Sequence, residues 1–215
     1  MSCQIDHFMY AVPSLDEGMQ WAQDTFGVAP AYGGEHVGMG TCNALLSLGD
    51  TYLEIIAPDP AQNLSGNLGA KFADLRAGGL VTFAVQGALS EIATVLTNHG
   101  IDSRGPNRTQ RKTTSGEVLV WELLIPTRAS FGARLPFFID WLDCPHPAGT
   151  NPVAGQFEEL IIRDPEATAL SAVFGDIGLS QTVDSGDPSL AARLSVAGQS
   201  IELSSTAETN AISMG

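Results

Sequence analysis

A histidine in the middle of an apolar strand is the first residue of this chain with an evident capacity for chemistry. It is His7, within Ile5-Asp6-His7-Phe8-Met9-Tyr10-Ala11-Val12, where an apolar residue would be the default. An imidazole there can move a proton near neutral pH, ligate a metal, or simply be hydrogen-bonded in a core. The other three histidines are less suggestive. His36 sits in a glycine-flanked strand, and His99 falls in the last turn of a helix, where a charge–dipole contact explains it. His146 belongs to the turn Cys144-Pro145-His146-Pro147 and reads as exposed in its loop in preference to folded back over a site. Trp121 reads equally as a stacking platform or a core residue. Arg108, Arg111 and Lys112 lie in a polar run over 107–116, which reads as a loop. They would attract an anionic substrate or merely be solvated. There is no H-E-x-x-H, no G-x-S-x-G elbow, no P-loop and no G-x-G-x-x-G. Cys3, Cys42 and Cys144 form no C-x-x-C and read as reduced thiols.

The elements that must position His7 recur. The opening strand returns as Phe157-Glu158-Glu159-Leu160-Ile161-Ile162-Arg163-Asp164-Pro165, with a weaker echo at Leu80-Val81-Thr82-Phe83-Ala84-Val85-Gln86, and such repetition signals a reused unit. In the first copy Ser14 and Glu17 have capping-box spacing. Leu15, Met19, Ala22 and Phe26 follow at helical intervals, and Gly27 marks the stop. Strands at 32–37, 43–48 and 51–57 complete a β-α-β-β-β order. The second copy repeats it with a strand at 80–86, a helix over 90–99, and strands at 101–104, 118–125 and 135–142. Between the copies, 61–78 reads as a connector with a short helix at 69–76. Residues 148–155 read as a Pro/Gly linker. A compressed third copy occupies 156–206, with Asp164 and Pro165 opening its helix and strands at 181–183, 190–196 and 200–203. Residues 207–215 read as a tail with little to hold it. The fold expected is α+β: tandem βαβββ modules at about 4–60 and 79–147 within residues 1–147, and a third, reduced unit.

A β-α-β-β-β unit that opens with I-D-H and closes with Tyr52-Leu53-Glu54-Ile55 resembles the vicinal oxygen chelate superfamily. Leu135-Pro136-Phe137-Phe138-Ile139-Asp140-Trp141 followed by Pro145-His146-Pro147 looks like its glyoxalase-like branch. The resemblance spans about residues 4–147, with a remnant from about 156 to 204. It implies two modules whose sheets curve into a cup around a small ligand, with metal ligands on the first and last strand of each. Carried onto this sequence, those positions are His7 and Glu54 in the first module. Matching Thr82-Phe83 to His7-Phe8, and Phe138-Ile139-Asp140 to Tyr52-Leu53-Glu54, gives Thr82 and Asp140 in the second. The third unit offers Glu159 and Glu202, read as surface residues. A threonine in place of the second histidine departs from the family's pattern and disfavours ring-cleaving dioxygenase chemistry.

Strand parity puts His7 with Ile5 and Met9, Glu54 with Tyr52 and Ile56, and Asp140 with Phe138 and Leu142. The expected site is therefore His7, Glu54 and Asp140 on a wall of Met9, Tyr52, Thr82, Trp121 and Phe138. One imidazole and two carboxylates can hold a divalent ion that polarises a ligand oxygen. Without an ion, burial of two carboxylates beside His7 gives a general acid–base pair. The expected activity is lyase or isomerase chemistry on a small, oxygen-rich molecule. Its rivals are a sequestering protein with the same cup, and an interaction module whose third unit completes a homodimer.

Composition bounds the setting. The 215 residues are 44% hydrophobic and 16% charged, as in ordinary globular chains. A formal charge of −14 argues against nucleic acid or an anionic membrane as partner. No apolar run approaches the roughly 18 residues of a membrane helix. No signal peptide is visible either, so a cytoplasmic location is expected.

Overall fold

The computed structural model describes residues 2–112, 116, 118–127 and 130–212. The first module comprises β1 (Gln4–Ala11), α1 (Leu15–Phe26), β2 (Ala31–His36), β3 (Thr41–Ser47) and β4 (Tyr52–Pro58). After α2 (Leu68–Ala73), the second has β5 (Gly79–Gln86), α3 (Leu89–Asn98), β6 (Ser103–Lys112), β7 (Val118–Pro126) and β8 (Phe137–Asp140). Their strands form one curled sheet in the order β2-β3-β4-β1-β5-β8-β7-β6. The chain is thus α+β with tandem βαβββ modules.

Helix α1 shows how local sequence sets an element. Ser14, extended at φ −141°, caps it by accepting from the Glu17 amide, and Gly27 ends it in the left-handed region at φ 71°. Its buried stripe is Gly18, Ala22 and Phe26. A Cβ on Gly18 would come within 2.7 Å of Val12 Cγ2, so glycine lets the helix lie close on the sheet. Ser14→Ala should cost about 1 kcal/mol in a urea melt, the usual value of an N-cap.

The modules join through antiparallel β1 and β5, centred on Phe8↔Phe83. Each strand carries one extra residue, Asp6 on β1 and Val81 on β5. Because His7↔Ala84 and Met9↔Thr82 flank the centre, a local two-fold relates His7 to Thr82 and Met9 to Ala84. The parallel pairings then fix the rest. Met9 pairs with Glu54, and Ala84 with Phe137. The counterpart of Glu54 is therefore Phe137, three residues before the Asp140 expected from sequence.

The third unit keeps the element order, as β9 (Gln156–Asp164), α4 (Ala167–Asp176), β10 (Asp184–Ser185), β11 (Ser189–Val196) and β12 (Gln199–Ser204). Its strand order, β10-β9-β11-β12, is not that of the modules. Alternate residues of β11 are buried. Leu190, Ala192 and Leu194 join Leu160, Ile162 and Phe174 in one core with Phe8, Leu53, Phe83 and Phe138 of the large sheet. The small sheet thus roofs the convex face and leaves the concave face open. Glu159 and Glu202 both pair with Arg193 on its outer side.

The loop at 107–116 is, as far as Lys112, the edge strand β6; its remaining positions Thr113, Thr114 and Ser115 lie outside the described residues. Part of the linker is pinned to β3, with Ser47 N donating to the Pro152 carbonyl at 2.8 Å and Ala154 N to the Ser47 carbonyl at 2.9 Å. Asp164 does not cap α4, which starts after Glu166; its buried carboxylate pairs with Arg134 Nε at 2.8 Å. The tail forms α5 (Ala207–Asn210), closed by a Thr206–Thr209 capping box with Thr209 buried; its residues 213–215 lie outside the described residues. Among the described residues, no helix is long and apolar enough to cross a membrane.

Candidate functional site

The concave face of the large sheet holds a cavity that is open at its mouth. His7 and Met9 of β1, Tyr52, Glu54 and Ile56 of β4, and Asn43 and Leu45 of β3 line one half. Thr109 and Arg111 of β6, Trp121, Leu123 and Ile125 of β7, and Phe137 and Ile139 of β8 line the other, with Trp141 just beyond. The pairings make these halves counterparts. The polar cluster His7, His36, Asn43 and Glu54 faces Thr82, Thr109, Leu123 and Phe137 across the two-fold. One module carries the polar groups and the other supplies mostly apolar surface, the usual composition of a small-molecule site.

The bulge on β1 is what equips His7. A strand neighbour would ordinarily point to the opposite face, but the extra residue lets Asp6 share the face of His7. Its Oδ1 lies 2.6 Å from His7 Nδ1. Its Oδ2 accepts from Trp141 Nε1 at 2.9 Å and faces His146 Nε2 at 3.1 Å. The same bulge turns Ile5 away, into the convex core, where the sequence parity had put it beside His7. On its other side His7 Nε2 is 3.6 Å from Glu54 Oε2, and the ring stacks on Tyr52 at 4.4 Å.

Glu54 is held by an ordered chain of donors. Arg111 Nη1 donates to Asn43 Oδ1 at 3.2 Å, which fixes the amide orientation. Asn43 Nδ2 then donates to Glu54 Oε1 at 2.6 Å and lies 3.3 Å from His36 Nε2. His36 Nδ1 is 3.0 Å from Thr41 Oγ1, consistent with a neutral ring that carries its proton there. Burial, with the charges of Arg111 and His7, holds the His36 pKa below its usual value against the pull of Glu54.

Charge settles on the remaining groups. Burial opposes ionisation of His7, yet its interactions with Asp6 and Glu54 outweigh that and lift its pKa to about 9. Burial would raise Glu54, but His7, His36 and Asn43 bring it down to about 2. Asp6, also opposed by burial, is held well below the carboxylate range by His146 and His7. At neutral pH the wall therefore presents an imidazolium between two carboxylates.

A family model for the glyoxalase-like domain matches residues 5–177. The chain belongs to that family. No curated protein matches it. Solved structures with a similar fold include a hypothetical protein from Staphylococcus aureus, at 15% identity and TM-score 0.68, covering 86% of this chain and 87% of that one. Methylmalonyl-CoA epimerase from Mycobacterium tuberculosis is similar at 21% identity and TM-score 0.50, covering 68% of this chain and 91% of its own. A hypothetical protein from Bacillus halodurans is similar at 16% identity and TM-score 0.52, covering 67% and 99%.

Within this glyoxalase-like domain, His7 and Glu54 come together, and Met9, Tyr52 and Trp121 line the cup. Asp140 does not join them. It ends β8 with its carboxylate accepting from Leu142 N at 2.8 Å, while Ile139 and Trp141 on either side take the cup face. Phe138 is fully buried in the convex core for the same reason of parity, and Phe137 takes its place in the cup. Thr82 is buried in the wall, its hydroxyl donating to the Ala133 carbonyl at 3.1 Å, and lines no part of the cavity.

The donors do not fit a resident divalent ion in the family's arrangement. Of the four positions related by the two-fold, His7 and Glu54 carry donors, Thr82 has its hydroxyl committed, and Phe137 has nothing to offer. Among the described residues no three His, Cys, Asp or Glu side chains are disposed to hold a metal. Sequence reasoning missed Asp6, His36 and Asn43 and preferred an exposed His146. A signal existed in Asn43, a polar residue between Cys42 and the apolar run Ala44-Leu45-Leu46; His36, after two glycines and Glu35, gave little, and the Asp6 bulge left none.

Proposed function

We propose that this glyoxalase-like protein binds a small carbonyl compound in its cup and moves a proton on it between the ligand and Glu54, with His7 as the electrophile. The observation that supports this reading is the pairing of an imidazolium and a carboxylate on the polar side of an otherwise apolar cavity. Their 3.6 Å separation is longer than a hydrogen bond. A ligand oxygen that accepts the His7 Nε2–H would take the place of Glu54 as its partner. Glu54 would then lose the interaction that keeps it acidic and become a stronger base. The proton on the carbon next to the carbonyl passes to Glu54, and the oxygen that gains charge is held by His7. Return of that proton to the same face of the same carbon gives exchange alone; the carbon is inverted only when the ligand turns before the proton returns to its other face, and return to another carbon isomerises the ligand. No redox partner is needed.

The structures with this fold include an epimerase, and epimerisation is a proton transfer of this kind. The decisive experiment is proton NMR in deuterated buffer with levulinate and methyl isoamyl ketone, two small ketones of the same shape, one charged and one neutral. Protein-dependent exchange of the hydrogens next to the carbonyl is expected. Binding of either ketone without any exchange would replace this reading by plain sequestration. No binding would remove the cup as a ketone site.

A further inference from the structure

We infer that Arg111 is an anion subsite of the cup, and that the ligand carries a carboxylate there, at a distance from the oxygen that meets His7. The inference rests on the cup being a ligand site, as proposed above. Arg111 comes from β6, one open edge of the curled sheet, and its Nη1 reaches Asn43 on β3 of the other module. It passes over Gly33, where a Cβ would fall 2.5 Å from that nitrogen and 2.2 Å from Asn43 Oδ1, so any larger residue would displace both. The guanidinium is thus placed by the fold across the gap between the two halves.

Its hydrogen bonding is incomplete. Nε is buried without a partner, and among the described residues Arg111 forms no ion pair. A buried donor left unpaired is costly and calls for an explanation. With Nη1 used on Asn43, the edge left over is the one formed by Nε and Nη2. That edge is the planar fork that a carboxylate matches with two parallel hydrogen bonds. Arg111 lines the cavity beside Thr109, with Trp121 and Leu123 on the neighbouring strand for an apolar ligand body.

The geometry also limits the spacing. Between Arg111 and His7 stand the Asn43 amide and the Glu54 carboxylate, linked by steps of 3.2, 2.6 and 3.6 Å. A ligand spanning them has its carboxylate several bonds from its carbonyl. An acid with the two groups on adjacent carbons is too short.

The test compares levulinate, and homologues one and two carbons longer, with uncharged ketones of the same shape, methyl isoamyl ketone for levulinate. Dissociation constants are measured by ligand-observed NMR on the wild-type protein, Arg111→Met and Arg111→Lys. At least one oxo acid should bind about tenfold or more tighter than its uncharged partner, the scale of a charged hydrogen bond. Arg111→Met should remove that advantage, and Arg111→Lys, which keeps charge without the fork, should restore only part of it. Equal affinity for each acid and its ketone in the wild type would overturn the subsite and leave the cup intact. An advantage that survives in Arg111→Met would also overturn it. Absence of binding by every probe would remove the subsite and the carbonyl reading together.

Discussion

Glu54→Gln should slow protein-dependent hydrogen exchange at the ketone by about 10²–10⁴-fold, the range for loss of a positioned general base. Glutamine keeps the length of the side chain and an oxygen for Asn43 Nδ2, so the wall should retain its shape. What disappears is the site that takes the proton. The substitution also strips His7 of one of the two partners that raise its pKa to about 9, so His7 should titrate lower in the variant. The wild-type pH profile follows from the same pair. Exchange by the free protein needs Glu54 ionised and His7 charged, a state bounded by about 2 and about 9. Above that upper bound the imidazolium is lost and exchange should fall. Histidine chemical shifts and exchange rates, measured together across pH, check both limbs. A variant that exchanges at the wild-type rate would take Glu54 out of the reaction.

How much of this was readable from sequence differs residue by residue. His7 declared itself because an imidazole interrupts an apolar strand, and Glu54 followed from the resemblance to the vicinal oxygen chelate superfamily. Asp140 failed because the end of a strand is set by tertiary register. The turn at Gly132–Arg134 and the pairing Ala84↔Phe137 put Phe137, Ile139 and Trp141 inward. A side-chain period of two makes such a slip reverse every face, which also misplaced Phe138. Strand β6 was hidden by composition. Its run of arginine, asparagine, threonine and glutamine reads as a loop, yet it suits an edge strand, where charge deters pairing with other chains. The module order was plain; the third unit's altered pairing was not, since element order alone does not dictate which strands meet.

The greatest loss of stability should come from a residue that touches no ligand. Asp6→Asn keeps the shape of the side chain but leaves a buried imidazolium without its 2.6 Å partner, and breaking a buried ion pair from one side costs about 3–5 kcal/mol. The dependence on pH distinguishes this from a packing defect. His7 has a folded pKa of about 9 against an ordinary 6.5. Its charged form therefore contributes fully below pH 6.5, and the contribution fades as pH rises through 9. Glu54 acts at the other end, where its contribution is full above pH 4.5 and is lost as pH falls toward 2. Urea melts of wild type and Asp6→Asn should show the widest gap from pH 5 to 7, narrowing on the alkaline side once wild-type His7 is itself neutral. A gap unchanged up to pH 10 would mean that His7 is not charged in the folded protein. Asp6 is a positioning residue in this scheme. By accepting the hydrogen bond from Nδ1–H it leaves Nε2–H directed at Glu54, and without it the cup would lose both a charge and the orientation of its acid.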